Sequence, residues 1–534
     1  MAPPPTPAPG RRNGRRHAHP ATAALKAAAL VLLAAAAAGT TPAARAQSPG
    51  SGSALVVGAG LAGLTAAADL CAKGYKVTIL EGRARPGGRT NTTRLPVTGA
   101  QVELGAGWIH DAAPRRNSVA KLAADLGLAT QVDDDEDLSW LVPDAPPSAA
   151  RLVSDAQAAK WDALAEAFAD DVDENSEGWP ANQALQKFFD TFVASRSLKG
   201  DDLAAVRALA QSELADLEYG ATMRQVSARW ASEGEQGDGD EKVITKGYGA
   251  IVDALLAKIQ ARASCRNALA LGAQVAEIRT VVSPAAARGV YARLRNGTTV
   301  SGKFGITTLP LGVLKKGGVK FSPALPADKA GAASKLAMGL LNKVVLVYDR
   351  PFFAQPGAGG AESPADASWF KAIVSASDPR PPADGDAFEW WNHAKFWPGS
   401  NAIVTLVGAD TAAKWEGANP SLPLADRDRL LAQRADALFR QLFPDPKTGS
   451  PPVLREWLVT RWAADPFSYG SYSYIPVGAS QSLRKVLCAP QSGLLFWAGE
   501  HCSVTYPSTA NGAIDTGAAA AKAAAAAFPA AGRR

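Results

Sequence analysis

The segment that follows the first apolar strand constrains the fold more than any other part of the chain. A strand ending at Val57 leads into a Gly-x-Gly-x-x-Gly pattern made by Gly58, Gly60 and Gly63. In a βαβ unit, the first glycine permits a tight turn and the second lets the backbone approach a pyrophosphate. The third lets the helix pack close to the strand, and the helix N-terminus faces the phosphates. The pattern therefore predicts a dinucleotide-binding unit.

The residues after the second predicted strand narrow the choice of dinucleotide. Glu81 lies 18 residues beyond Gly63, where a carboxylate accepts hydrogen bonds from an adenosine ribose. The segment Gly82 to Arg89 then adds three arginines and the doublet Gly87-Gly88. A flavin protein needs such a second loop to hold the pyrophosphate and the ribityl chain from two sides, whereas an NAD enzyme does not. The structural alternative is a Pro-Gly-Gly turn with solvated arginines.

A second glycine-rich strand end lies near the C-terminus. The predicted strand ending at Trp497 is followed by Gly499 and Glu500, and residues 511–517 open a final helix. A strand, a glycine loop and a helix N-terminus together form an anion or ribityl site. Alone, Gly499-Glu500 would more often be an ordinary strand end. Together with the N-terminal glycines, it indicates the second part of a flavin site.

The charge of the chain argues against nucleic-acid or membrane-surface partners. The net charge is +6 over 534 residues, but residues 1–46 hold six basic residues and no acid. The remainder has 50 basic and 50 acidic residues and is formally neutral. A neutral folded chain gives no reason to expect nucleic acid or an anionic membrane.

Residues 1–46 have the pattern of a secretory signal peptide. Paired arginines precede an apolar run from Ala27 to Ala38, and Ala44-Arg45-Ala46 offers a cleavage site. The run is too short to span a bilayer. We expect cleavage near Ala46 and secretion or transfer to a periplasm-like compartment; an organellar transit peptide is the second interpretation.

The four cysteines show no metal-binding spacing, so no metal site is expected. Cys71 falls on the first predicted helix and is interpreted as a buried apolar residue. Export would permit disulfides, but the sequence does not determine a pairing.

Seven blocks of sequence together resemble the flavin amine oxidase family, and within it the polyamine oxidases. They follow the family order from about residue 54 to residue 522. The blocks are Val56–Leu64, Glu81–Arg89, Glu103–His110, Leu309–Leu314, Asn342–Val344, Trp462–Tyr472 and Gly499–His501. The resemblance implies FAD, a two-domain fold, and oxidation of a C–N bond with oxygen as electron acceptor.

The resemblance also implies catalytic roles for five residues. Lys343 matches the lysine that holds a water against flavin N5, and Trp462 the aromatic residue that packs against the isoalloxazine. Tyr472 matches one wall of an aromatic cage, and Thr509 stands where monoamine oxidases carry the tyrosine of the opposite wall. His110 resembles a residue of the polyamine-oxidase substrate channel. Each could instead be a solvated or core residue.

Two further positions depart from related enzymes. Ser471 stands where monoamine oxidases carry the cysteine bonded to flavin, so we expect non-covalent FAD. Asn511 replaces a histidine that is common before Gly-Ala in polyamine oxidases. The full set of expected FAD-binding residues is Gly58, Gly60, Leu61, Ala62, Gly63, Glu81, Gly82, Arg83, Gly87, Gly88, Arg89, Gly105, Ala106, Gly107, Trp108, Val275, Trp462, Gly499, Glu500, Thr509, Asn511 and Ala513.

The expected fold class is α/β, with two interleaved domains in an α+β arrangement. Strand and glycine signals predict a discontinuous Rossmann-like FAD-binding domain from residues 54–109, 236–312 and 461–525. Residues 110–235 and 313–460 would form a substrate-binding domain of mixed sheet and helices.

The predicted function is FAD-dependent oxidation of spermine, spermidine or their acetylated forms. A hydride would pass from the carbon next to the amine nitrogen to flavin N5, the imine would hydrolyse to an aldehyde and an amine, and oxygen would yield hydrogen peroxide. The expected partners are the polyamine and oxygen, and we expect a monomer or a weak homo-oligomer.

Several alternatives to polyamine oxidation stay open. An L-amino-acid oxidase of the same family would need an arginine aimed at the substrate carboxylate, and a monoamine oxidase or a non-catalytic flavin-binding protein is also compatible. A histone demethylase fits poorly with an export signal and with the lack of a long inserted coiled coil. A carotenoid desaturase shares the glycine doublet but has little need of Lys343 or of the aromatic slot.

Overall fold

The computed structural model describes most of the chain after residue 51. The described residues are 52–133, 137–142, 150–232, 239–350, 367–374, 389–397, 399–443 and 450–530. The predicted signal peptide, 1–46, lies outside them. Within these ranges, no helix combines the length and the apolar character that crossing a membrane requires.

A five-stranded parallel sheet forms the nucleotide-binding layer. Its strand order is Leu269–Ala270, Lys76–Leu80, Ser53–Val57, Phe304–Thr307 and Leu495–Trp497. Both faces of the sheet are covered, as is usual for parallel sheets. The strands therefore read as short apolar runs without alternation, and they come from widely separated parts of the chain.

Helices cover one face of this sheet. Leu61–Ala72 packs beside Gly249–Gln260 and crosses Ala510–Ala527. The crossing is close because Gly517 has no side chain: a Cβ there would lie 2.3 Å from the carbonyl oxygen of Ala62. The first and last of the described helices are thus in direct contact.

A small sheet covers the opposite face and buries a second apolar layer. Its strand order is Thr299–Gly302, Gly289–Leu294, Val275–Val281 and Lys320–Ser322. Leu55 and Val57 pack against Ile278 and Val290 between the two sheets. The alternation of buried and exposed residues in Gly289–Leu294 reflects its single buried face.

A seven-stranded mixed sheet forms the other large layer. Its strands, in spatial order, are Leu454–Val459, Leu341–Tyr348, Ala402–Gly408, Glu389–Asn392, Trp369–Val374, Asp137–Val142 and Arg151–Leu152. Helix Leu424–Leu442 packs on it through Leu431, Ala435 and Phe439. The buried strand Leu341–Tyr348, the second in this order, carries Lys343 near its start.

A helical group and several short elements complete the described fold. The helical group comprises Asp155–Asn175, Leu185–Arg196, Gly200–Gln211 and the π-helix Ser212–Leu217. The short strands are Thr92–Arg94, Gln101–Glu103, Trp108–Ile109, Thr130–Val132, Lys242–Ile244, Ala337–Met338 and Ser473–Tyr474. The remaining α-helices are Ser118–Asp125, Leu311–Lys316, Ala327–Lys335, His393–Phe396, Ala409–Gly417 and Ser482–Cys488. The 3-10 turns are Ser176–Gly178, Ala228–Trp230, Ala263–Cys265, Ala285–Ala287 and Glu500–Cys502.

This architecture confirms the predicted mixed α/β class with a Rossmann-like sheet. The domain boundaries stay a prediction. They assign residues 54–109, 236–312 and 461–525 to the FAD-binding domain and residues 110–235 and 313–460 to the substrate-binding domain.

The structure pairs all four cysteines in two disulfides. Cys71 bonds to Cys265 with a Cα separation of 6.1 Å, and Cys488 bonds to Cys502 with a Cα separation of 5.6 Å. Cys71 is buried, as the sequence predicts, but it is a cross-link rather than a simple apolar filler. The pairing depends on the contact between helix Leu61–Ala72 and the turn at Cys265, which local sequence does not reveal.

Loss of the long-range disulfide is expected to destabilise the chain more than loss of the short-range one. The bridges join residues separated by 194 and 14 positions, for which chain entropy corresponds to about 5 and about 3 kcal/mol. Denaturant titration of the double variants C71A/C265A and C488A/C502A measures the difference. Equal losses, or a larger loss for the second variant, would contradict the entropic explanation.

Candidate active site

The ends of the parallel strands open onto one cavity. Gly58, Glu81, Thr308 and Gly499 closely follow four of the five strands, and all four residues line this cavity. Ligands of open α/β sheets bind in a crevice at the carboxyl ends of the strands. The cavity therefore lies where a dinucleotide site is expected.

Most of the site residues predicted from the sequence share this cavity. Those that line it are Gly58, Gly60, Leu61, Ala62, Glu81, Arg83, Gly87, Gly88, Arg89, Gly105, Ala106, Gly107, Trp108, His110, Lys343, Trp462, Tyr472, Gly499, Glu500, Thr509 and Ala513. The structure thus brings together blocks that are hundreds of residues apart in sequence.

Four predicted cofactor-binding residues lie outside the cavity lining. Gly63 and Gly82 pack against the protein itself, since a Cβ at these positions would lie 2.0 Å from the Gly58 carbonyl oxygen and 2.4 Å from the Phe467 ring. Val275 packs with the small-sheet cluster. Asn511 is buried in the first turn of the last helix.

The three glycines of the N-terminal pattern have different structural requirements. Gly58 adopts a φ of +103°, and a Cβ there would lie 2.3 Å from the Thr308 hydroxyl oxygen. Gly63 needs its lack of a side chain because the helix presses against the Gly58 carbonyl. At Gly60 the nearest atom to an added Cβ is the Gly87 carbonyl oxygen at 3.9 Å. The protein leaves space at Gly60, which fits close approach of a ligand.

Two acidic side chains organise the cofactor end of the cavity. Glu81 accepts hydrogen bonds from the backbone N–H groups of Ala59 and Arg83, both at 2.8 Å. Glu500 pairs with Arg89 at 2.8 Å and accepts a hydrogen bond from the Ser473 hydroxyl at 2.6 Å. Burial alone would raise the pKa of Glu500, but the charges of Arg89 and His501 and the hydrogen bonds from Ser473 and Arg89 together lower the pKa to about 2.

Lys343 enters the cavity from strand Leu341–Tyr348 of the large sheet. The side chain is buried, and its Nζ donates to the carbonyl oxygens of Glu103 at 3.1 Å and Gly105 at 2.9 Å. The same Nζ lies 5.0 Å and 5.3 Å from the ring centroids of Trp108 and Trp391. Burial lowers the pKa of Lys343, and the charge of Glu103 opposes this effect.

The predicted aromatic pair also faces the cavity. Trp462 and Tyr472 both line it, and the Tyr472 hydroxyl donates to the carbonyl oxygen of Leu217 in the π-helix Ser212–Leu217. Such π-turns often occur at functional sites. Burial raises the pKa of Tyr472, so the phenol stays neutral.

Thr509 lines the cavity but uses its hydroxyl elsewhere. It is the N-cap of helix Ala510–Ala527, where its Oγ1 accepts from the Gly512 N–H at 3.1 Å and donates to the Tyr506 carbonyl oxygen at 3.0 Å. Both hydrogen-bonding functions of the hydroxyl are therefore engaged by the backbone.

A small three-stranded sheet brings His110 and an acidic group, Asp133 and Glu241, to the same cavity. In this sheet Lys242 pairs with both Ile109 and Val132. The register brings together the neighbours of these residues, namely His110, Asp133 and Glu241, at one end of the sheet. All three of these side chains line the cavity.

The acidic group is held by specific contacts. Glu241 Oε2 lies 2.7 Å from His110 Nδ1, and Asp133 Oδ2 accepts from Trp108 Nε1 at 2.8 Å. Burial raises the pKa of Asp133. Desolvation opposes charge on His110, but the hydrogen bond and charge of Glu241 prevail and raise the pKa of the imidazole.

Sequence reasoning missed Asp133 and Glu241 as site residues. Asp133 begins an acidic run that reads as a solvated loop, and Glu241 follows a polar Gly-rich connection. The other lining residues that it did not select are Thr90, Leu104, Leu217, Thr308, Pro310, Leu341, Trp369, Leu406, Phe467, Ser508 and Ala510, whereas Ser471 was expected beside the flavin. No local signal marks the acids, because non-local strand pairing places them.

Comparison with known proteins identifies the family. Residues 61–525 match the family model described as flavin containing amine oxidoreductase. The chain belongs to this family. The family implies a flavin cofactor and consists of oxidoreductases that act on amines.

The relatives of this flavin amine oxidoreductase include plant proteins. It is 30% identical over 483 residues to lysine-specific histone demethylase 1 homolog 1 of Oryza sativa subsp. japonica, covering 87% of this chain and 51% of that protein. It is also 30% identical to Protein FLOWERING LOCUS D of Arabidopsis thaliana, covering 87% and 54%. The chain thus spans about half the length of these relatives.

A solved structure supports the same fold. A redesigned double mutant of putrescine oxidase superimposes with a TM-score of 0.66 at 17% sequence identity. The match covers 90% of this chain and all of that chain. At this identity the likeness concerns the fold.

The residues of the cavity fit the flavin that the family implies. The floor is glycine backbone at Gly58, Gly60 and Gly88, with open space at Gly60 for a pyrophosphate. Glu81 lies at the end of the second parallel strand, as a ribose-binding acid requires. The glycine backbone and the Glu81 carboxylate are therefore the features of the lining that suit a flavin dinucleotide.

Proposed function

We propose that this chain binds FAD non-covalently and oxidises polyamines. The observation that carries the proposal is the acidic group of Asp133 and Glu241 in the cavity that also holds Lys343 and the aromatic pair. A polyamine has a second cationic nitrogen some distance from the one that reacts. The carboxylates of Asp133 and Glu241, which line the same cavity as the aromatic pair, would supply charge-assisted hydrogen bonds for it.

The distribution of arginines disfavours an amino-acid substrate. Among the described residues that line the cavity, the arginines are Arg83 and Arg89. Arg83 pairs with Asp465 at 2.6 Å, and Arg89 pairs with Glu500 at 2.8 Å. Both lie with the cofactor-binding glycines and carry carboxylate partners already. An L-amino-acid oxidase needs a guanidinium free to hold the substrate carboxylate.

The cysteines support non-covalent attachment of the cofactor. All four form disulfides, and Ser471 occupies the cavity wall. The hydroxyl of Ser471 accepts from the Leu341 N–H and donates to the Leu341 carbonyl oxygen, both at 2.9 Å. The hydroxyl thus links the segment before strand Ser473–Tyr474 to the start of strand Leu341–Tyr348.

The residues around the reacting amine have complementary roles. FAD, when bound, accepts a hydride from the carbon next to the amine nitrogen and passes the electrons to oxygen, which gives hydrogen peroxide. Trp462 and Tyr472 would favour the neutral amine over its ammonium form, because they exclude water. The third N–H of Lys343 would hold a water for imine hydrolysis, since the other two bind backbone carbonyls.

The compartment and assembly state also stay proposals. We propose that the chain is exported after cleavage near Ala46. The two disulfides support an oxidising compartment. A monomer or a weak homo-oligomer is expected.

Histone-tail demethylation is the second candidate function. The plant relatives named as histone demethylases favour it. A methylated lysine is also a secondary or tertiary amine whose methyl carbon can lose a hydride. The two functions differ in the size of the substrate. Beyond the reacting nitrogen, the cavity must accept an alkylamine in one case and a lysine side chain with its peptide in the other.

A peroxide assay of the purified full-length protein separates these functions. The panel comprises spermine, spermidine, their acetylated forms, putrescine, benzylamine, an L-amino-acid mixture and a dimethyl-lysine histone peptide. We expect peroxide with the polyamines and identification of the matching aldehyde. Peroxide from benzylamine, the amino acids or the peptide alone would overturn the polyamine assignment, and no peroxide with bound flavin would favour a non-catalytic protein.

Removal of the acidic group is expected to weaken polyamine binding selectively. Hydrogen bonds to charged groups contribute about 1.5–3 kcal/mol, so Asp133→Asn and Glu241→Gln should each raise KM for spermidine about 10- to 100-fold. The limiting rate of flavin reduction at saturating spermidine should stay within about 2-fold, because these acids bind the second cation and not the reacting nitrogen. Glu277→Gln is the matched control, since Glu277 pairs with Arg293 on the small sheet away from the cavity. An equal loss in the limiting rate of flavin reduction would contradict the assigned role.

A further inference from the structure

Glu103 is a buried acid whose backbone binds Lys343, and its side chain has no assigned role. It ends strand Gln101–Glu103, is 1% exposed, and lies outside the cavity lining. Its carboxylate accepts hydrogen bonds from Thr92 Oγ1 at 2.8 and 2.9 Å and from the Tyr248 N–H at 3.2 Å. These contacts fix a carboxylate in a site without solvent.

The same residue touches Lys343 through its backbone. The Glu103 carbonyl oxygen accepts from Lys343 Nζ at 3.1 Å, and the Gly105 carbonyl oxygen accepts at 2.9 Å. The segment 103–105 therefore positions the ammonium group through its backbone, and the buried carboxylate of Glu103 belongs to the same segment. Trp108 and Trp391 flank the group with their π faces, which also favour a cation.

We propose that Glu103 is a positioning residue that keeps Lys343 charged and aimed into the cavity. This inference rests on the proposed function of Lys343 but concerns a different residue. The carboxylate compensates for the removal of the ammonium from water, and the two carbonyls fix its direction. The lysine can then present its remaining N–H to the cavity.

The other ionisable groups near this pair carry no compensating negative charge. His393 is fully buried, and burial together with the charge of Lys343 lowers its pKa, so the imidazole stays neutral. Tyr248 is buried, and burial with the charges of Glu241 and Glu103 raises the pKa of its phenol. Among the described residues, Glu103 is the acid whose charge raises the pKa of Lys343.

Neutralising Glu103 is expected to lower the pKa of Lys343. Burial lowers the pKa of Lys343, and the negative charge of Glu103 raises it. Burial also raises the pKa of Glu103, while the Thr92 hydrogen bond and the charge of Lys343 lower it. Neutralising Glu103 leaves burial unopposed, so the lysine loses its proton at a lower pH.

The variant Glu103→Gln tests the inference without changing the shape of the side chain. An amide oxygen can still accept from Thr92 and Tyr248. Trace acetylation of the purified enzyme with limiting acetic anhydride, followed by mass spectrometry of the Lys343 peptide, reports the fraction of free amine against pH. We expect the labelling profile to move by at least about one pH unit toward acid, a change of about 10-fold in labelling near pH 8.

A second measurement separates this inference from the proposed function. The reduced enzyme is mixed with oxygen across the same pH range, and flavin reoxidation is followed by absorbance. A parallel shift of both profiles supports the two proposals together. If labelling shifts while reoxidation and reduction do not, the positioning role of Glu103 stands and the assigned role of Lys343 fails.

The controls keep the result interpretable. Glu103→Asp keeps a carboxylate, so its labelling profile should shift less than that of Glu103→Gln. Glu277→Gln should leave both profiles unchanged. If Glu103→Gln does not fold, Thr92→Val removes a hydrogen bond that favours the carboxylate and should give a smaller shift in the same direction. A folded variant of either kind with an unchanged labelling profile at Lys343 would overturn the inference.

Discussion

The variant Lys343→Met is expected to lower the rate of amine oxidation by about 100-fold or more, with flavin content unchanged. Methionine has a similar length but offers no N–H donor, so the site loses the group that would hold a reactive water. Flavin content should not change because residues other than Lys343, among them Gly58, Gly60 and Glu81, form the nucleotide end of the site.

Stopped-flow absorbance under anaerobic and aerobic conditions measures the two half-reactions of this variant separately. Lys320→Met is a suitable control, because Lys320 is an exposed residue at the edge of the small sheet. A loss confined to one half-reaction would show which step needs the lysine. Rates equal to those of the unmodified enzyme in both half-reactions would remove Lys343 from the mechanism.

The variant Gly63→Ala is expected to lose flavin binding almost completely and to unfold more easily. The added Cβ would lie 2.0 Å from the Gly58 carbonyl oxygen, so helix Leu61–Ala72 must move away from the turn that holds the phosphates. That helix also packs against Ala510–Ala527. The displacement would therefore disturb both ends of the cofactor site at once.

The variant Gly60→Ala separates cofactor binding from folding. Its Cβ would meet no protein atom closer than 3.9 Å, so the apoprotein should melt at the normal temperature while flavin affinity falls. Gly331→Ala is the matched control: it lies within helix Ala327–Lys335 with no atom within 4 Å. That change should stabilise the protein by about 1 kcal/mol.

Flavin absorbance after gel filtration and thermal unfolding of the apoprotein together measure the three glycine variants. The expected order of flavin retention is Gly331→Ala first, then Gly60→Ala, with Gly63→Ala lowest. Full flavin retention in Gly60→Ala would show that the pyrophosphate does not lie against this residue.

Local chemistry made the nucleotide end of the site predictable from the sequence. The turn at Gly58 needs a positive φ and a residue without Cβ, and few sequences other than a glycine pattern satisfy both. Glu81 follows a strand that local apolar residues define. These features are encoded within about 30 residues, because a βαβ unit has that size.

Long-range pairing made the substrate end less predictable. Asp133 and Glu241 become neighbours only because Val132 and Ile109 both pair with Lys242. The bond between Cys71 and Cys265 depends on a similar non-local contact. The spacing of these residues along the chain does not predict the contacts.

Local hydrogen bonds and packing decide what the side chains of Thr509 and Val275 contact. Thr509 was selected as a cavity wall, yet its hydroxyl caps the last helix. Val275 belongs to a strand pattern that fits a cofactor-binding segment, but it packs into the apolar layer between two sheets. A sequence pattern identifies which residues stand near a site, whereas packing decides which atoms face it.

The salt bridge between Arg89 and Glu500 has a consequence for the order of events during synthesis. The two residues are 411 positions apart, which a ribosome takes roughly 20 to 80 seconds to cover at typical rates. The glycine turn therefore leaves the ribosome long before its partner strand and turn exist. The complete cofactor site, with this ion pair in place, can form only in a nearly finished chain.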